Sequence, residues 1–160
     1  MADITGVTMI SDTDLYSSNA VASSVYSVGD LVHGTKGRKY RYVLVGASAL
    51  VAGNVLQESV NDTTYANMAV GTAGAVGDRY IQVTNGTATI TSAQFVGGTI
   101  GVYTAGTIPV GEEYGITKVT GTLTTGGALK VWLDRPLRYA VTTSAKVNMK
   151  RSPWSGVIQF

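Results

Sequence analysis

Short runs of β-branched and aromatic residues recur about every ten residues in the second half of this chain. They are Thr99 to Tyr103, Glu113 to Thr120 and Ala128 to Leu133, the last entered from Gly126-Gly127. Runs this short, separated by glycine-rich turns, leave no room for the helices that connect parallel strands. They predict an all-β class: a β-sandwich, jelly roll or small barrel. The 20 glycines agree, because glycine weakens a helix interior by about 1 kcal/mol relative to alanine. A chain of 160 residues is long enough to bury a core without staples, and with no cysteine it has no disulfides to rely on.

The first half supplies a second clear signal. From Arg38 to Gly46 the residues alternate, so Tyr40, Tyr42 and Leu44 share one face of an extended strand and Lys39, Arg41, Val43 and Val45 share the other. Before this run, His33-Gly34-Thr35-Lys36-Gly37 reads as the loop of a hairpin that folds Asp30 to Val32 onto Arg38 to Tyr42. After it, Val51-Ala52-Gly53-Asn54 turns the chain into Val55 and Leu56. Further on, Glu58 to Ala75 reads as a long surface excursion, and Asp78 to Val83 as a strand. Asn85-Gly86 reads as a tight turn into a returning strand, Thr87 to Thr91. Tyr139 to Val147 is expected to form one more strand. The segment 156–160 is expected to be an apolar tail that docks on the core or on a neighbour.

Residues 1–27 carry isolated apolar side chains in a Ser, Thr and Asp background. They predict an extended N-terminal arm, with one helical turn near Asp14 to Val21, ahead of a single β domain over 28–160. The start MADITGV has neither the basic residues nor the apolar run of a secretory signal, and no apolar run is long enough to span a bilayer, so synthesis in the cytoplasm and no membrane partner are expected.

Only 14% of the residues are charged, against roughly a quarter in typical soluble domains, which implies that part of the surface is covered by something else. The charge is also segregated. Met1 to Gly34 holds Asp3, Asp12, Asp14 and Asp30 and no Lys or Arg. Lys130 to Phe160 holds six basic residues against Asp134. The two ends are complementary, within one molecule or between neighbours. A formal net charge of +2 is too small for a nucleic-acid partner.

The residues of catalysis are scarce. His33 is the only histidine, no serine sits in a Gly-x-Ser-x-Gly elbow, and Glu112 and Glu113 point to opposite faces of a strand, so no paired acid and base is formed. Asp12 and Asp14 alone do not make a metal site, and no cofactor is expected. The loop Gly34 to Lys39 lacks the spacing and the following helix of a phosphate-binding loop. An assembly role fits better. Its candidate contacts are the basic hairpin residues Lys36, Arg38, Lys39 and Arg41, the arm acids Asp12 and Asp14, and Lys150, Arg151, Trp154 and Phe160 near the other end. The many tyrosines fit an interface, and a row of exposed aromatics along one sheet face would instead favour a carbohydrate-binding or fibre-associated module.

The segments Asp30 to Val43 and Ala49 to Leu56 together show Gly-Thr, a glycine-containing turn, an aromatic-x-aromatic-Val strand and a small-residue turn ending in an apolar pair. This pattern resembles small virion structural proteins of tailed bacteriophages. The Gly/Thr/Val-rich later half, closing on Leu133-Asp134-Arg135-Pro136-Leu137, is similar to them in composition. The resemblance implies a β-rich decoration, or cement, protein on the outside of an icosahedral capsid. Its partners would be the major capsid protein and further copies of itself, as a trimer or dimer. It carries over no catalytic residue.

Overall fold

The computed structural model describes residues 8–11, 26–51, 54–58, 63–86, 88–103 and 111–159. It is all-β, as the strand spacing predicts. The chain divides into two compact units, one of residues 1–59 with 153–160 and the other of residues 60–152. One domain over 28–160 was the expectation from sequence, whereas here residues 28–59 belong with the final strand.

In the first unit, β1 (Thr8–Met9), β2 (Leu31–His33) and β3 (Lys39–Arg41) form one sheet in that order. The hairpin is the predicted one. Val32 faces Tyr40 in antiparallel register, the Gly34 amide donates to the Arg38 carbonyl at 2.9 Å, and Gly37 takes the positive φ of 73° that the turn requires. The described part of the arm adds β1 in parallel beside β2, pairing Thr8 with Val32. The expected continuous strand from Arg38 to Gly46 is corrected. It breaks after Arg41, and β4 (Leu44–Val45) joins a different sheet with β12 (Ser155–Gln159) and β5 (Leu56–Gln57), in the order β4-β12-β5. The expected docking tail is thus the central strand of that sheet, parallel to β4 and antiparallel to β5.

In the second unit, six strands close into a barrel. They are β6 (Met68–Thr72), β7 (Tyr80–Thr84), β8 (Thr99–Tyr103), β9 (Glu112–Gly121), β10 (Ala128–Leu133) and β11 (Lys146–Lys150), in the ring order β10-β7-β6-β11-β8-β9. All neighbouring pairs are antiparallel. Strands β8, β9 and β10 follow one another as a meander, and β11 returns over residues 134–145 to lie beside β8, a Greek-key arrangement. Alternation decides what fills the ring. Ile81 and Val83, Ile100 and Val102, Leu129, Val131 and Leu133, and Val147 and Met149 all point inward and are buried. In β9 the register slips opposite Trp132 and Leu133, pairing Lys118 with Trp132 but Ile116 with Leu133. The extra residue Thr117 shifts the inward phase from Ile116 to Val119.

Three further expectations are corrected here. The excursion from Glu58 to Ala75 contains a 3-10 turn at Thr63–Tyr65 and strand β6, because Met68 and Val70 share an inward face that the surrounding Gly and Thr disguise. Asn85-Gly86 is not a hairpin turn and the described residues 88–91 are not a strand; β7 pairs with β6 and β10 instead. The strand expected over Tyr139 to Val147 begins only at Lys146, with Val141 making a single bridge to Gly74. Asn85 is buried, and its Nδ2 donates to the carbonyls of Ala88, Leu123 and Thr124 at 2.8, 3.0 and 3.0 Å. It ties loops together where a turn was expected. The edge-to-face pair Tyr65 and Phe95, 4.8 Å apart, with Ile90, adds loop residues to the same core.

Candidate functional site

The two units bury apolar surface very differently. Among the described residues, the barrel unit holds a continuous core of twenty buried side chains. In the first unit, among the described residues, only Val32 and Val157 are buried apolar side chains. Leu44, Val45, Val51, Val55 and Leu56 are exposed, Val55 by 71%. Fixing each residue's backbone costs roughly 1–2 kcal/mol, and one buried aliphatic side chain contributes about 1.5–3 kcal/mol, so two buried valines do little toward ordering this unit by themselves. Both outer strands of the β4-β12-β5 sheet are two-residue edges carrying Leu44, Val45 and Leu56. Strands this short offer little backbone for strand addition, so what distinguishes this sheet is its exposed apolar side chains.

The other sheet is guarded. Its edge strand β3 carries Lys39 and Arg41, both exposed, and charge on an edge strand opposes unwanted pairing. Lys36, Arg38 and Lys39 are exposed around the turn and form no ion pair among the described residues. Arg41 departs from the expectation of an available charge. Its Nη1 donates to the Gly29 carbonyl at 2.6 Å, and its guanidinium carbon lies 5.1 Å from the centre of the Trp154 ring. Trp154 keeps 37% of its surface exposed. Tyr26 and Tyr42 pack with their ring centres 5.8 Å apart and their planes tilted by 35° in the same unit.

The remaining expected contacts are scattered. Lys150 ends β11 and is exposed, and Arg151 beside it is half-buried. Asp12, Asp14 and Phe160 lie outside the described residues, as does the helical turn expected near Asp14 to Val21. The complementary-ends reading is narrowed. Asp30 accepts from the Ser27 amide at 2.8 Å, and Arg135 and Arg138 reach Glu112 at 3.9 and 3.8 Å within their own unit. Beside that trio, Tyr114 is buried under Arg135, whose guanidinium carbon is 5.0 Å from the ring centre. Burial pushes the Tyr114 hydroxyl above its ordinary pKa; the hydrogen bond from the Arg138 amide opposes this and the Glu112 carboxylate adds to it.

Two features escaped the sequence reading. The first is the exposed aliphatic set around β4 and β5, signalled only by apolar pairs flanking small-residue turns. The second is on the barrel exterior, where Trp132 of β10 pairs across the strands with Tyr80 of β7 and Lys118 of β9. Its position was readable, since Lys130 and Trp132 share the face opposite the buried Leu129, Val131 and Leu133. Among the described residues no group of three or more His, Cys, Asp or Glu side chains is placed to hold a metal ion, and no helix is long and apolar enough to cross a membrane. No protein-family model matches the chain, and no curated protein matches it significantly.

Proposed function

We propose that this chain is a structural protein of a virion, a decoration or cement protein that binds the outer surface of a tailed-bacteriophage head and bridges shell subunits. The observation that carries the reading is the first unit: Leu44, Val45, Val51, Val55 and Leu56 are exposed, and among its described residues only Val32 and Val157 are buried apolar side chains. Such a unit gains the burial it lacks by packing on other subunits, and the exposed aliphatic side chains supply the apolar centre that a stable interface needs. The barrel supports the same division of labour, since it has a continuous buried core of its own. The resemblance of residues 30–43 and 49–56 to phage virion proteins lies in this same unit. The mechanism is mechanical, with interface area repeated over many copies resisting the pressure of packaged DNA.

The test is sedimentation of the purified protein alone and with empty heads of the parent virion, beside the variant Leu44→Asp/Leu56→Asp. The expected result is a small homo-oligomer that saturates the heads, and a variant that keeps a folded barrel but binds at least ten-fold more weakly. A parent protein that leaves empty heads bare, or a variant that binds as the parent does, overturns the proposal.

A further inference from the structure

Three neighbouring strands of the barrel present an outward face of aromatic, amide, hydroxyl and lysine side chains. Tyr80 and Gln82 of β7, Lys130 and Trp132 of β10, and Lys118 and Thr120 of β9 stand side by side, in the registers Tyr80–Trp132–Lys118 and Gln82–Lys130–Thr120. Trp132 is 37% exposed, and its ring lies 5.4 Å from that of Tyr80 at an interplanar angle of 47°. The indole is fixed in place: its Nε1–H donates to Thr120 Oγ1 at 3.2 Å. Lys130 Nζ stands 5.2 Å from the centre of the Tyr80 ring. The geometry points to a binding site for an acidic polysaccharide, one bearing uronate carboxylates or sulfate esters, on this face of the barrel.

Each part of the face has a role in that assignment. Sugar rings present flat C–H faces that pack on exposed aromatic rings, and two fixed, mutually tilted rings offer a curved platform for successive sugars. The surrounding groups are hydrogen-bonding side chains, the amide of Gln82 and the hydroxyl of Thr120, which suit a ligand covered in hydroxyls. Charge then selects among sugars. Lys118 and Lys130 are the two ionised groups at outward positions from Tyr80 to Thr84, Ala128 to Trp132 and Thr117 to Gly121, and no carboxylate stands among them. Of the acids near this face, Asp134 accepts from the Gly115 amide, Asp78 from the Ala75 amide, and Glu112 faces Arg135 and Arg138, while Glu113 is exposed at the start of β9, beyond the three registers that carry the face. A protein partner fits less well, because two rings among polar side chains do not make the broad apolar centre of a protein interface. The inference does not rest on the virion reading and uses the other unit.

The experiment is Trp fluorescence titration and affinity electrophoresis of the full chain with alginate, heparin, neutral dextran and an oligothymidylate. The expected result is retardation and a saturable fluorescence change with alginate or heparin, falling as salt rises, and none with dextran. Trp132→Ala is expected to weaken binding at least ten-fold, Lys118→Gln/Lys130→Gln at least five-fold and Trp132→Phe less than three-fold. Thermal melting of all three identifies any loss that comes from unfolding. Absence of binding to both acidic polymers, equal binding of dextran, tighter binding of the oligothymidylate, or a folded Trp132→Ala protein that binds like the parent overturns the proposal.

Discussion

Arg41 lies over Trp154, with 5.1 Å from its guanidinium carbon to the ring centre, and the same arginine donates to the carbonyl of Gly29. Gly29 is part of the lock: its φ is +95°, and a Cβ there would meet the Trp154 ring at 2.9 Å. The β2–β3 hairpin and the entry to β12 are therefore held by a stacked cation. Arg41→Ala is expected to lower the stability of this unit by about 1–2 kcal/mol, from one lost cation–π contact and one charged hydrogen bond. Arg41→Lys should not restore it, because an ammonium lacks the planar fork that stacks and donates together. Urea unfolding followed by Trp154 fluorescence in a Trp132→Phe background measures both.

A different outcome is expected for the charges on the turn. Lys36→Glu with Lys39→Glu should leave folding within about 0.5 kcal/mol of the parent, as exposed side chains without ion pairs do. Association with heads or further copies should weaken, more at low salt than at high. Co-sedimentation at two salt concentrations decides, and a variant that assembles like the parent at low salt would show the turn to be merely solvated.

Asn85 is expected to be the costliest polar residue to replace in the barrel unit. Its amide nitrogen, with two hydrogens, lies within hydrogen-bond distance of the carbonyls of residues 88, 123 and 124 in a site that is 1% exposed, the Leu123 carbonyl also accepting from the Ile90 amide. Removing it in Asn85→Ala leaves those acceptors without this donor, a loss of about 2–4 kcal/mol. Asn85→Asp should be worse, since a carboxylate would face carbonyl oxygens where an amide donated. Thermal and urea unfolding of both variants gives the order.

Alkaline pH should loosen the barrel through Tyr114. Its folded pKa lies above the ordinary value of 10, mainly through burial, so the folded state favours the protonated phenol. Its contribution is complete below pH 10 and is lost as pH rises through the folded pKa. Tyr114→Phe should remove that part of the alkaline fall in melting temperature, while costing about 1 kcal/mol at neutral pH through the lost acceptor for the Arg138 amide, 3.2 Å away. Melting curves at neutral pH and across pH 9–12 check both arms.

What could be read from the sequence follows from where burial is one-sided. Strands such as Ala128–Leu133 and Thr99–Tyr103 were found to the residue because alternate positions face a core and the others face water. The same rule located the hairpin of β2 and β3. It failed at Met68–Thr72, where three of five positions are Ala, Gly or Thr and only two carry the pattern. It failed again at Asn85-Gly86, whose turn preference yielded to a buried site where the amide meets three distant or neighbouring carbonyls. The break after Arg41 was hidden because alternation continues through Val45 while the pairing partner changes. Of the candidate site, the charged turn was legible as sequence, whereas the engagement of Arg41 with Trp154 joins residues far apart in the chain and is set only by the fold.

The order in which the strands pair also fixes when the protein can become itself. The barrel ring is shut by β11, residues 146–150, wedged between β6 and β8, and the second sheet of the other unit is held together by β12, residues 155–159, between β4 and β5. Strands made early must wait for partners made late, and pairings so distant in sequence form slowly. On the ribosome, neither unit can finish until this stretch has emerged. Until then the apolar edges of β4 and β5 stand without their middle strand, so the nascent chain is most prone to association in the interval before β12 emerges.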